Sequence, residues 1–374
     1  MREPRHQIPS SRRRRATRIV ILSLLSCASL PVALAHEATA TLHVRNDEDS
    51  TTIVSPRARA RADVGDASRV ELVYTADVWT SASIDIRTAA SRVITERRDE
   101  LSASIGHTID ATTLGGGYRY STEIDYVSHA GSASVSHDFA QRSATVAVAA
   151  YAAKDVVGRE GDPSFDRGLG SFGTQLTFSQ VLDPDTLAQA GYEVAYLSGY
   201  QASPYRFVGI DGLCDGTALQ CVPERVPDRR VRHALLTGVR RALGSRWSAG
   251  LSYRYYLDGW QLSSHTIEPV VALTPVDEAL LSLRYRFYQQ TAASFYRSAY
   301  ESQGDIRFVT RDRKLSPLQS HRISLDYEHD VALGDAWELQ WALVAGVSLY
   351  RYHDFPGLTD VGALELSAAV GMEL

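Results

Sequence analysis

From about residue 39 to its last residue, the chain alternates apolar and polar positions in segments of roughly 10 to 15 residues. In 247–257 the odd positions are Trp247, Ala249, Leu251, Tyr253, Tyr255 and Leu257, and the even ones are Ser248, Gly250, Ser252, Arg254 and Tyr256. In 280–288, Leu281, Leu283, Tyr285 and Phe287 alternate with Ser282, Arg284 and Arg286. In 321–333, Ile323, Leu325, Tyr327, Val331 and Leu333 oppose Arg322, Ser324, Asp326, Glu328 and Asp330. In 337–349, Trp337, Leu339, Trp341, Leu343, Val347 and Leu349 oppose Glu338, Gln340 and Ser348. A period of two belongs to β-strands with one apolar face.

The connections order these strands. Tight turns are predicted at Gly65-Asp66-Ala67, Asp110-Ala111, Phe139–Arg142, Asp183-Pro184-Asp185, Gly244-Ser245, Thr274–Asp277 and Gly334-Asp335, where Asp, Gly and Pro supply the backbone geometry that turns need. Between them lie connections that are often long, at 80–99, 155–169, 201–229 and 291–320, with shorter ones at 46–50, 124–127, 258–260 and 354–360. This pattern predicts an all-β fold, a transmembrane antiparallel up-and-down β-barrel of about sixteen strands. Both termini and the tight turns would lie in the periplasm, and the long loops outside the cell. Aromatics agree with two interfacial girdles: Trp79, Tyr118, Tyr120, Tyr196, Tyr200, Tyr255, Tyr285, Phe287, Tyr350 and Tyr352 fall near the outer ends, Trp247 and Trp337 near the inner ends. The final segment, Val361 to Leu374, presents Leu364, Leu366, Ala368, Val370, Met372 and Leu374 on one face. It looks like the signal read by the barrel-assembly machinery, although that signal usually ends in Phe or Trp.

The N-terminus predicts the same compartment. Arg12 to Arg15 and Arg18 precede an apolar run, Ile19 to Leu30, and an Ala33-Leu34-Ala35 cleavage site before His36. Residues 1–35 are thus expected to be a signal peptide and 36–374 the outer-membrane barrel. An uncleaved anchor and lipidation at Cys27 are the alternatives. The expected location is the bacterial outer membrane, with its lipids as the first partners. After residue 35 there is no apolar run long enough for a membrane-spanning helix. The mature part keeps two cysteines, Cys214 and Cys221, in one loop, where an oxidising periplasm can close them into a disulfide.

With the apolar face outward, the charges that line the lumen can be named. Arg57, Arg59 and Arg61 stack on one strand, and Arg232, Arg240, Arg254, Arg284 and Arg286 follow in the second half. Asp326, Glu328, Asp330, Glu338, Glu365 and Glu373 form an acidic arc on the last three strands. Two readings stand side by side. The charges pair with one another and fill the interior, because buried charges need partners. Alternatively, opposed arcs set a transverse field in a charge-selective constriction.

Enzyme chemistry is not expected. No G-x-S-x-G or H-E-x-x-H occurs. Glu328-His329-Asp330 looks catalytic, but a period of two puts His329 on the opposite face from both carboxylates. Gly115-Gly116-Gly117 precedes no helix and is read as room for a plug or loop to pack closely. Asp211 and Asp215 lack a calcium ligand set. Histidines are scattered singly, so neither metal nor cofactor is expected, and the basic runs at 57–61 and 225–232 fit nucleic acid poorly.

Leu251-Ser252-Tyr253-Arg254-Tyr255-Tyr256, Trp260, Ser264-His265-Thr266-Ile267-Glu268, Leu283-Arg284-Tyr285-Arg286-Phe287-Tyr288, Ala292-Ala293-Ser294-Phe295-Tyr296 and Asp312-Arg313-Lys314-Leu315-Ser316-Pro317 stand out, with Arg97–Glu100 and Glu123–Tyr126 earlier. These stretches resemble DUF3570, a family of outer-membrane proteins with no attached activity. The resemblance implies an outer-membrane barrel and no catalytic residues. The expected function is a porin-like channel or transporter for small polar solutes, with a non-conducting scaffold or binding protein as the alternative. One further expectation is a ledge below loop 291–320, with Phe295 and Tyr296 turned inward and Arg284 and Arg286 holding an anion.

Overall fold

Each alternating segment forms one strand, because only a strand puts every second side chain on one face. The computed structural model describes residues 36–81, 94–214, 216–334 and 336–374. The expected signal peptide, Cys27, most of connection 80–99, Asp215 and Asp335 lie outside the described residues. The strands are β1 (Glu37–Asp47), β2 (Thr51–Val64), β3 (Ser68–Ser81), β4 (Ile94–Ile109), β5 (Thr112–Thr122), β6 (Tyr126–Phe139), β7 (Ala144–Val157), β8 (Arg167–Asp183) and β9 (Thr186–Gly199). They continue as β10 (Phe207–Ile210), β11 (Gln220–Pro223), β12 (Arg229–Leu243), β13 (Trp247–Asp258), β14 (Ser263–Val276), β15 (Ala279–Gln290), β16 (Leu318–Leu333), β17 (Trp337–Tyr352) and β18 (Asp360–Glu373). Sixteen of them form a closed antiparallel barrel, and β10 and β11 form a separate two-stranded sheet.

The barrel closes where β1 pairs with β18, from Glu37 opposite Glu373 to Asp47 opposite Ala363. Closure removes the unpaired edges that a flat sheet would leave. At one end the hairpins are tight. Gly65, Gly244 and Gly334 take φ of 65°, 76° and 76°, and Asp110 takes 54°; such left-handed backbone lets a turn of two or three residues match the twist of its strands. Near the expected turn at 274–277 the strand runs on to Val276, after a register irregularity that starts at Leu273, so the turn itself is Asp277-Glu278. The β10–β11 hairpin lies inside connection 201–229, where the alternation predicts no strand.

The register assigns the faces. Leu283, Val347 and Val370 are each more than half exposed on one face, while the charged and serine-rich face turns inward. Apolar exposure on this scale, all round a closed sheet, is that of a lipid-facing surface. Three aromatics depart from the expected girdle. Trp79 shares a face with Glu71 and Asp77, and Tyr350 and Tyr352 share one with Ser348. All three therefore point inward. Tyr200 also leaves the girdle: it lies past the end of β9 and packs edge-on against Phe165. Trp247 and Trp337 stay on the outer face at the turn end, 50% and 37% exposed.

A polar lumen beneath a braced roof

The inward charges are mostly arranged in local ion pairs. Arg59 and Arg61 both reach Glu37 on the neighbouring strand, Arg61 at 2.7 Å, and Arg61 also reaches Glu71 at 3.1 Å. Arg284 lies 2.8 Å from Glu268 and 3.7 Å from Asp326, and Arg286 lies 3.9 Å from Glu268. Arg254 meets Glu193 at 3.5 Å. Arg284 and Arg286 thus share Glu268, with Asp326 beside Arg284, where the expected ledge has an anion. Among the described residues, Arg57, Arg232, Glu328, Asp330 and Glu338 show no ion pair. Arg232 sits opposite Asp258, but that carboxylate is taken by Arg230.

As the strand order predicts, closure sets the acidic arc beside the strand-two arginines. Glu338, Glu373, Glu37 and Arg61 face one another in one row across β17, β18, β1 and β2. With Glu328 and Asp330 on β16, this leaves a surplus of negative charge at the turn end of the lumen. The wall between the charges is recessed. One cavity of about 970 Å³ opens at the turn end beside Arg61, Glu71, Ser104 and Ser134. Another, of about 400 Å³, lies against Gln189, Gly191, Gly238, Ser252, Arg254 and Glu268. Among the described residues no plug or loop packs on Gly115 or Gly117: a Cβ on either would meet Ser134 or Ser132 of β6. His329 stacks between Tyr327 and Trp341 on the outer face, away from Glu328 and Asp330.

At the other end the connections form a roof. Trp260, Leu262, Ala293, Tyr296, Leu315, Tyr352, Phe355 and Val361 make one buried cluster, and Val208, Ile210, Tyr300 and Val309 make a second. The segments resembling DUF3570, spread over 251–317, converge here: Trp260, Ala293, Tyr296 and Leu315 come from three of them. Connection 200–228 joins connection 291–317 through bridges at Ile210–Tyr300 and Arg225–Val309. Cys214 and Cys221 are joined as a disulfide within the first of these. Roof side chains meet the inward face of the barrel through Tyr256, Gln290, Tyr350 and Val361.

Four polar centres fix the roof. The Tyr300 hydroxyl donates to the Phe295 carbonyl at 3.0 Å and accepts from Thr310 N at 3.0 Å. Glu224 accepts from Arg206 at 3.1 Å and from Ser203 N at 2.7 Å, and Arg206 reaches Asp312 at 3.4 Å. Asp258 accepts from Arg230 at 2.8 Å, the Tyr256 hydroxyl at 2.8 Å and Trp260 N at 2.8 Å, while Arg230 lies 4.1 Å over the Trp260 ring. Tyr205 donates to Asp125 and accepts from Glu160 N at 2.6 Å. Burial first, and the Asp125 carboxylate second, push the Tyr205 hydroxyl up to about 12. On the opposite side Arg313 reaches Asp49 at 2.7 Å. The roof therefore runs from the β5–β6 connection to the β1–β2 connection. A recess of only about 10 Å³ remains inside it, beside Phe207, Arg311 and Phe355, scarcely room for one water. Burial pushes the Arg311 guanidinium down.

Sequence reasoning missed all four centres. Glu224 lies in connection 201–229 just before the basic run 225–232, and Asp258 in the short connection 258–260. The available signal was Asp258-Gly259-Trp260, an Asx-type turn with an aromatic that is too costly to leave in water.

No curated protein matches the chain. Among solved structures, it is similar to a loop L8 deletion mutant of OmpT from Vibrio cholerae, at 10% identity and a TM-score of 0.43, covering 90% of this chain and 97% of that one. Pseudomonas aeruginosa OprD is similar at 8% identity and a TM-score of 0.44, over 90% and 94%. The toluene transporter TodX of Pseudomonas putida is similar at 12% identity and a TM-score of 0.41, over 90% and 89%. The family model described as "Protein of unknown function (DUF3570)" matches residues 170–357, about half of the chain and most of the segments that build the roof. With the motifs, the barrel and this match in agreement, the chain belongs to the DUF3570 family.

Proposed function

We propose that this barrel is a gated outer-membrane channel for small polar solutes, with the long loops outside the cell, both termini in the periplasm and no covalent chemistry on the solute. The observation that carries this reading is the contrast between the two ends. The lumen wall is polar and recessed, with a cavity of about 970 Å³ at the turn end, whereas the loop end is packed and hydrogen-bonded. Sixteen strands leave room for an aqueous path, and the roof would set when that path opens. Insertion through the barrel-assembly machinery, reading β18, belongs to the same proposal.

The roof also supports a second reading, a non-conducting scaffold whose lumen stays shut. Conductance in a planar lipid bilayer separates the two. The intact protein is expected to give rare or small current steps, and deletion of the hairpin Phe207–Pro223 to give frequent, larger ones. A folded deletion variant that passes no current would leave the scaffold reading standing.

A further inference from the structure

The outer face carries a side-chain pairing that repeats four times near the loop end. Tyr118 bonds His129 at 2.6 Å, Tyr192 bonds His233 at 2.7 Å, Tyr253 bonds His265 at 2.7 Å and Tyr285 bonds His321 at 2.7 Å, each through Nδ1. In each, the tyrosine lies on one strand of a hairpin and the histidine on its partner, within four residues of the start of its strand. This is the height at which a barrel's aromatic girdle meets lipid headgroups.

One of the four pairs differs. On the strand beyond it, His233 faces Leu257, His265 faces Gln289 and His321 faces Leu349, but His129 faces Lys154. Lys154 is exposed on the outer face and has no ion-pair partner among the described residues. Tyr120, directly opposite His129, has its ring centre 5.1 Å from the imidazole. The surface beside the lysine is low, because Gly131 and Gly170 have open space where a Cβ would project, or only a backbone oxygen at 3.8 Å. Towards the membrane centre, Val148 and Phe172 present exposed apolar surface for acyl chains.

We propose that His129, Lys154, Tyr118 and Tyr120 form a binding site for the phosphate of a lipid headgroup in the leaflet at the loop end. The ammonium supplies the charge. When the Tyr118 phenol donates to Nδ1, the imidazole proton sits on Nε2 and serves as a second donor, oriented by that bond. The three lysine-free pairs are ordinary girdle and provide internal comparisons. The site is independent of whether the lumen conducts.

The test uses the folded protein in an uncharged detergent. Bound phosphatidylglycerol and phosphatidylcholine of matched chain length are counted by native mass spectrometry, and folding is checked by heat-modifiable gel mobility. Phosphatidylglycerol is expected to be preferred. Lys154→Ala should weaken that preference about fivefold, the usual worth of one basic residue at an anionic lipid surface. Lys154→Arg should keep it, and His265→Ala, at a lysine-free pair, should leave it unchanged. Equal retention of the two lipids, an unaltered preference in Lys154→Ala, loss of it in Lys154→Arg, or an equal loss in His265→Ala would each overturn the proposal.

Discussion

Asp258 holds an ionised carboxylate at a point without access to water: its side chain is 0% exposed. It is tolerated because Arg230, a phenol and two backbone N–H groups satisfy its oxygens. Removing one partner of such a pair strands the other, which is costlier than never having buried either. Asp258→Ala is therefore expected to destabilise the β13–β14 end locally by about 3 kcal/mol, seen as faster amide hydrogen exchange at Trp260 and Leu262 with the rest of the barrel unchanged. Tyr205 gives a prediction in pH. Its hydroxyl is held at about 12 in the folded protein, against about 10 in an unfolded chain. A group raised by folding contributes stability that is complete below its unfolded value and lost as pH rises through the folded one. Contact between the 200–228 and 123–125 connections should thus loosen between about pH 10 and 12. Tyr205→Phe should abolish that transition when protease cleavage of the roof is followed against pH.

At the scale of elements, the roof behaves as a unit because its two long connections share charged groups. Glu224 belongs to one and Asp312 to the other, and Arg206 bridges them. Glu224→Ala should release both connections together, so that cleavage in 200–228 and in 291–317 rises in parallel. Independent rates would show that the two connections are separate. Most strands were legible in the sequence because a strand's faces are written locally, in every second residue. Trp79, Tyr350 and Tyr352 show where reading by height stops: height near a strand end suggests the girdle, whereas the alternation of faces puts all three inside, Tyr352 under the roof. Glu224 is hidden for a different reason. Its partner Thr310 comes from another connection, 86 residues away. No periodic signal records such a meeting. The Tyr–His pairs were missed likewise, since each histidine stands alone along the chain.

Across the whole molecule, most charges in the middle of the lumen are paired, while several carboxylates at its turn end are not. Glu328, Asp330 and Glu338 lack cationic partners among the described residues, and Glu373 faces Glu338 across β17 and β18. If the lumen conducts, this arc favours cations. Replacing Glu328, Asp330 and Glu338 by their amides should then move the reversal potential under a salt gradient towards that of a non-selective pore. The closing of the barrel has a consequence of its own. Val361 and Tyr352 of the last hairpin sit in the same buried cluster as Trp260, and Arg313 bonds Asp49, 264 residues away near the start of the chain. The second of these contacts needs β1 to have come round to the last strands, which pairing of β1 with β18 secures. Roof formation is therefore a late event in assembly, and resistance of connections 200–228 and 291–317 to protease reports, molecule by molecule, that the first and last strands have met.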